Sequence, residues 1–133
     1  MKPTDAELEI LHHLWQHGPL TVRMVNDMLN EARKGGAKEA AGYTTTLKLM
    51  QIMLEKGLLS RTEEGRTHTY SAVVREEDAQ SMLLQQFVNN TFRGNTARLV
   101  MQALGNQQAS ADELDEIKAL IATLENKEGD DDK

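Results

Sequence analysis

The stretch TTTLKLMQIMLEKGLLSRTEEGRTHTYSA, Thr44 to Ala72, changes period part-way along. From Thr44 the residues Thr46, Met50 and Met53 recur at intervals of three and four, flanked by Leu49 and Leu54, which is the spacing of a helix with one buried stripe. Gly57 stops that helix. Beyond it, Leu58 to Thr62 and Arg66 to Ala72 read as two short strands joined through Glu63-Glu64-Gly65, a Gly-containing turn.

Working back toward the amino terminus, Thr4 and Glu7 form a capping box ahead of Leu8, Leu11, Leu14 and Trp15, one helical stripe that ends at Gly18-Pro19. Thr21 caps a second helix, with Val22, Val25, Met28 and Leu29 facing inward. Only Gly-Pro-Leu separates the two, so they turn sharply against each other. Arg33 to Gly42 reads as a Lys/Gly/Ala loop. Helix, helix, helix and hairpin within residues 1–75 predict a winged helix-turn-helix domain, mainly α with a small β-wing, in which the third helix can enter a DNA major groove.

Residues 76–125 are helical again. Glu76, Glu77 and Asp78 sit in a first turn, where the helix dipole favours acids, and Ala79, Met82, Leu83 and Phe87 follow at helical spacing. Phe92-Arg93-Gly94-Asn95 breaks the run. Leu99, Val100 and Leu104 mark a short helix, and Ser110 with Glu113 forms a second capping box before Leu114, Ile117, Leu120, Ile121 and Leu124. Three short amphipathic helices bury too little apolar surface alone to offset chain entropy. An identical arm from a second subunit is the simplest partner, which makes 76–125 a helical dimerisation arm and the chain a homodimer. Residues 126–133 read as a disordered acidic tail.

The chain has 133 residues, 39% apolar and 27% charged, enough for one domain with an accessory arm and too short for a large multi-domain enzyme. It has no cysteine, no membrane-length apolar run and no apolar leader after Met1-Lys2-Pro3, which fits a cytoplasmic protein that does not engage a membrane. Its net charge of −6 is lopsided: residues 1–75 carry +1 and residues 76–133 carry −7. Between Arg33 and Arg66 there is a local excess of three positive charges, a modest signal for nucleic acid.

With Thr46, Met50 and Met53 inward, the third helix turns Thr44, Leu47, Lys48 and Gln51 outward. Lys donates to guanine N7 and O6, Gln pairs with adenine, and Thr offers a hydroxyl and a methyl. Tyr43, Thr44 and Thr45 at the helix start can meet a phosphate. In the hairpin Arg66, Thr67 and His68 beside Gly65, with Arg61 on the opposing strand, are expected on the phosphate backbone. Any amphipathic helix has a polar face and any hairpin needs soluble residues, so a winged-helix protein-interaction module without DNA binding accounts for the same pattern.

His13 and His17 are spaced i, i+4 with Glu9 a turn earlier, but Leu14 follows His13 where helical zinc hydrolases need Glu, and surface histidines explain them more simply. No metal or cofactor is expected. The sequence carries no phosphate-binding Gly loop, no Gly-x-Ser-x-Gly elbow and no thiol, so no enzyme is expected either.

Four segments in order resemble the penicillinase-repressor family of bacterial winged-helix regulators: Thr4-Asp5-Ala6-Glu7-Leu8-Glu9-Ile10 with Leu14-Trp15; Tyr43-Thr44-Thr45-Thr46-Leu47 running into Leu54-Glu55-Lys56-Gly57-Leu58; Gly65-Arg66-Thr67-His68-Thr69-Tyr70; and Phe92-Arg93-Gly94-Asn95. The resemblance covers nearly the whole chain. It implies a homodimeric repressor on a palindromic double-stranded operator, with the reading helix at Thr44 through Gln51, the wing at Gly65 through Tyr70 and dimerisation through the carboxy-terminal helices. Antibiotic-responsive members are released by proteolysis at an Asn-Phe bond; the matching place here reads Gln102-Ala103. Copper-responsive members use a carboxy-terminal cysteine cluster, which this chain lacks. Ile52 stands where members commonly show Arg, and the Arg33 to Gly42 loop is longer than usual, with Arg33, Lys34 and Lys38 available as further phosphate contacts. The residues name no inducer, and an upstream sensor or protease stays unidentified.

Overall fold

A computed structural model describes residues 2–106 and 108–131. The chain divides into two compact units, Met1–Gln86 and Phe87–Lys133. The first unit begins with α1 (Asp5–His17), whose capping box is formed at both ends: the Glu7 amide donates to Thr4 Oγ1 at 3.2 Å, and the Thr4 amide donates to Glu7 Oε1 at 2.8 Å. Gly18-Pro19-Leu20 leads to α2 (Val22–Arg33), where Thr21 Oγ1 accepts from the Met24 amide. A loop connects to α3 (Tyr43–Glu55), and β1 (Leu59–Glu64) and β2 (Thr67–Ala72) follow as an antiparallel pair.

The strands run further into the turn than the sequence suggests. Glu64 pairs with Thr67, leaving only Gly65 and Arg66 to reverse the chain, with Gly65 at φ +65°. A two-residue reversal that begins with a residue at positive φ favours glycine there, which is why this position can hold a tight wing tip. The link between α1 and α2 is also more structured than a simple turn. Leu20 exchanges both backbone hydrogen bonds with Tyr70, at 3.0 and 2.8 Å, and so extends β2 by a bridge on its other edge.

The core of this unit joins Ile10, Leu11 and Leu14 of α1, Val25 and Leu29 of α2, Met50 and Met53 of α3, and Leu59 and Tyr70 of the hairpin. The stripe expected on α1 is rotated slightly: Ile10 is fully buried, while Leu8 and Trp15 are half-buried. Trp15 keeps its ring nitrogen satisfied by donating to the Val74 carbonyl at 2.9 Å, and so fixes the chain as it leaves β2. Glu76, at the start of α4 (Glu76–Phe92), borders the same surface hollow as His12 and Trp15.

The division between units therefore falls inside α4, after Gln86, whereas the sequence expectation sets a boundary after residue 75. In the second unit α4 ends at Phe92, where Arg93 (φ 53°) and Gly94 (φ 82°) take the left-handed conformation and the Gly94 amide donates back to the Val88 carbonyl. Asn95 then caps α5 (Thr96–Asn106) through the Arg98 amide. The Ser110–Glu113 capping box starts α6 (Ala111–Asp131). Residues 126–131, expected as part of a disordered tail, continue this helix, since Asn126, Lys127 and Glu128 offer no break before Gly129. The remaining tail positions, 132 and 133, lie outside the described residues.

Candidate nucleic-acid interface

Helix α3 buries Thr46, Met50 and Met53, the stripe that its spacing dictates. Thr46 is a polar residue in that stripe, and its hydroxyl is satisfied by donating to Asn26 Oδ1 at 2.7 Å. Burying this face leaves Tyr43, Thr44, Thr45, Lys48 and Gln51 exposed on the helix. Leu47 differs from its expected outward position: it is half-buried and packs against the core cluster. Ile52 is 38% exposed, so an apolar side chain adjoins the polar face.

Two further residue pairs fix the helix. Asn30 holds Ala41, two residues before its start, in both directions, accepting from the Ala41 amide at 2.6 Å and donating to the Ala41 carbonyl at 3.1 Å. At the other end Lys56 reaches both carboxylate oxygens of the buried Glu7. The helix start has no side-chain cap, because Gly42 occupies that position.

An open cleft of about 410 Å³ lies beside the first turn of α3. Its lining brings together Tyr43 and Leu47 of α3, Arg66, Thr67 and His68 of the wing, the cap residue Thr21, and Arg23 of α2. Five of the residues expected at the interface thus share one concavity. Arg23 was not anticipated. Its guanidinium lies over the Tyr43 ring, 5.3 Å from the centroid, a cation–π pair that joins two helices across the loop. The signal available in the sequence was its place on the polar side of α2, just past the Thr21 cap, and nothing there reveals that Tyr43 is its neighbour.

The wing residues are unequally engaged. Arg61 stands opposite Tyr70 in the register, with its guanidinium 3.6 Å from Glu63, and His68 Nε2 lies 3.7 Å from the same carboxylate. Arg66 and Thr67 are exposed at the tip. The loop cations are engaged as well. Arg33 makes a two-point contact with Glu9, at 2.9 and 3.1 Å, Lys38 reaches the same carboxylate at 3.2 Å, and Lys34 pairs with Glu31. Arg33 and Lys38 hold the Glu9 carboxyl below the usual carboxylate range, burial opposing them in part. The loop charges that the sequence offers for phosphate contact are therefore spent largely within the subunit.

Of the residues expected to join two subunits, Met82 and Leu83 are half-buried on α4 in the first unit. In the second, Leu99 and Ile117 are half-buried, while Phe87, Val100, Leu104, Leu114, Leu120, Ile121 and Leu124 are exposed. His13 and His17 lie on α1; among the described residues no three metal-binding side chains gather at one point, and no helix is long and apolar enough to cross a membrane.

The profile of the penicillinase repressor family matches residues 3–123. The chain is 26% identical over 125 residues to the penicillinase repressor of Bacillus licheniformis, covering 93% of this chain and 92% of that one. It is 26% identical over 123 residues to the transcriptional regulator BlaI of Mycobacterium tuberculosis (strain ATCC 25618 / H37Rv), covering 91% and 83%. It is 20% identical over 118 residues to the methicillin resistance regulatory protein MecI of Staphylococcus aureus, covering 89% and 91%. Among solved structures, the DNA-binding domain of the repressor BlaI is 26% identical, with a TM-score of 0.47, over 59% of this chain and 93% of that one.

Proposed function

This chain belongs to the penicillinase repressor family, and we propose on that footing that it is a cytoplasmic transcriptional repressor that binds a palindromic operator as a homodimer. The observation that carries the reading is the division of α3 into two sides. Thr46, Met50 and Met53 are committed to the core, so Thr44, Lys48 and Gln51 present donors, acceptors and a methyl on an exposed surface of the helix. The wing tip and Tyr43 border the adjoining cleft, which suits contacts to the phosphate backbone.

The apolar side chains exposed on α5 and α6, Val100, Leu104, Leu120, Ile121 and Leu124 among them, favour pairing with a second copy of the arm. A two-fold dimer sets two copies of α3 about one helical turn, roughly 34–36 Å, apart, which calls for a palindromic site. Catalysis has no part in this reading.

The test is a gel shift of the protein against the region upstream of its own gene, across a salt series. A saturable shift with two subunits per site is expected, and it should weaken steeply with salt. Absence of any saturable shift at any salt would favour the winged-helix interaction module that binds protein instead.

A further inference from the structure

In the unit Met1–Gln86 most cations already have a carboxylate. Lys56 is paired with Glu7, Arg33 and Lys38 with Glu9, Lys34 with Glu31, Arg61 with Glu63 and Arg75 with Glu77. Among the described residues of that unit, Lys2, Arg23, Lys48 and Arg66 have no ion pair. Two of these four, Arg23 and Arg66, line the same cleft from α2 and from the wing, and a third, Lys48, is on the exposed face of α3.

Arg23 is also held in place. The Tyr43 ring under one face of its guanidinium restricts the side chain while leaving its N–H edge free for an oxyanion, the use for which Arg is better shaped than Lys. Thr21, Thr67 and His68 add further polar groups to the lining, and Leu47 and Val22 supply an apolar part. Among the described residues no acidic side chain lines this cleft. In a chain with net charge −6, an acid-free concavity holding two unpaired arginines is selective for an anion.

We infer that this cleft is a phosphodiester seat, in which a strand of DNA backbone runs between α2 and the wing with Arg23 on one side and Arg66 on the other. The inference rests on the repressor reading and deepens it, by adding Arg23 as a positioning residue. Because Arg23 is stacked on Tyr43, in the first turn of α3, the phosphate it takes fixes how far α3 enters the groove. Base recognition is left to Lys48 and its neighbours.

The test compares full-length wild type, Arg23→Ala and Arg23→Lys on the upstream region and on an unrelated duplex over a salt series. Each phosphate contact contributes about 0.9 to the slope of log affinity against log salt. Arg23→Ala is expected to lower that slope by about 0.9 per bound subunit on both duplexes, and Arg23→Lys to retain the slope with weaker binding. A wild type that binds while Arg23→Ala, with an unchanged thermal midpoint, keeps the full slope overturns the seat and leaves the repressor standing. A wild type that binds neither duplex at any salt overturns both.

Discussion

Lys56 Nζ stands 2.9 Å from Glu7 Oε2 and 3.0 Å from Glu7 Oε1, joining the carboxy-terminal cap of α3 to the first turn of α1. Each charge also lies at the helix end whose dipole favours it, the cation after α3 and the carboxylate at the start of α1. Glu7 therefore does two things: it closes the α1 capping box and it anchors the helix proposed to read DNA. With Asn30 holding the chain before the start of α3 and Asn26 taking the Thr46 hydroxyl, the helix is fixed by polar contacts at both ends and by methionines between them.

Lys56→Met is accordingly expected to destabilise the first unit. The Glu7 side chain is 1% exposed, and without Lys56 its carboxylate keeps only the Thr4 amide. An unsatisfied buried acceptor costs about 1–3 kcal/mol, and each kcal/mol lowers the melting midpoint of a domain of this size by about 4–8 °C. Calorimetry of the single variants and of Lys56→Met with Glu7→Gln would measure the coupling. The double variant should lose less than the sum of the two, and strict additivity would count against a direct pair.

Acid should weaken the same unit. Burial works to raise the Glu7 carboxyl and is outweighed by Lys56 and Thr4, so its folded pKa lies below the ordinary value; Arg33 leads the same effect on Glu9. A carboxyl depressed on folding stabilises fully above its unfolded pKa, and that contribution is lost as pH falls through the folded one. His13 acts in the same direction at higher pH. Burial, with His17 beside it, lowers its pKa from 6.5, so the stability linked to its neutral form declines as pH falls below that value toward the lowered one. Urea midpoints measured downward from pH 7 should fall in two stages, the His13→Gln variant losing the upper and Glu9→Gln reducing the lower. A profile flat throughout would contradict both assignments.

The sequence carried the local geometry well, because helix period, capping boxes and turn glycines are statements about neighbours three or four residues apart. Thr46, Met50 and Met53 could be assigned to one buried face on spacing alone, and so could the Thr4–Glu7 and Ser110–Glu113 caps. What it did not carry depends on residues far apart in the chain: the Leu20–Tyr70 bridge, the Lys56–Glu7 pair, the Glu9 carboxylate shared by Arg33 and Lys38, and Arg23 over Tyr43. The charge count shows the difference most plainly. Arg33, Lys34 and Lys38 look in sequence like a basic loop open to phosphate, and in three dimensions each has a carboxylate of its own chain. Leu47, outward by spacing, packs against the core and lines the cleft between α2 and the wing.

Lys48 and Arg66 should fail differently. Lys48 belongs to the face of α3 that would meet base edges, whereas Arg66 is at the wing tip beside the cleft. Lys48→Ala is expected to cost about 1–3 kcal/mol on the operator and far less on an unrelated duplex. Arg66→Ala should weaken both alike and reduce the salt slope by about one per subunit. Equal losses on both duplexes for the two variants would remove Lys48 from base recognition.

The apolar side chains of α6 allow the two-fold assembly to be tested separately from DNA contact. Leu120, Ile121 and Leu124 are 59%, 47% and 54% exposed, so an aspartate at Leu120 or Ile121 meets water in the single subunit and should leave its helix content unchanged. Across a paired arm the same aspartates would be buried without partners, which costs several kcal/mol for each copy and is counted twice in a two-fold interface. Ile121→Asp should therefore sediment as a monomer at concentrations where the wild type is dimeric. On DNA, losing the non-covalent pairing that holds two readers together makes the second half-site a separate encounter, so operator affinity should drop by about 10²-fold or more although no residue near the groove has changed. A variant that stays dimeric and binds normally would move the subunit interface away from α6.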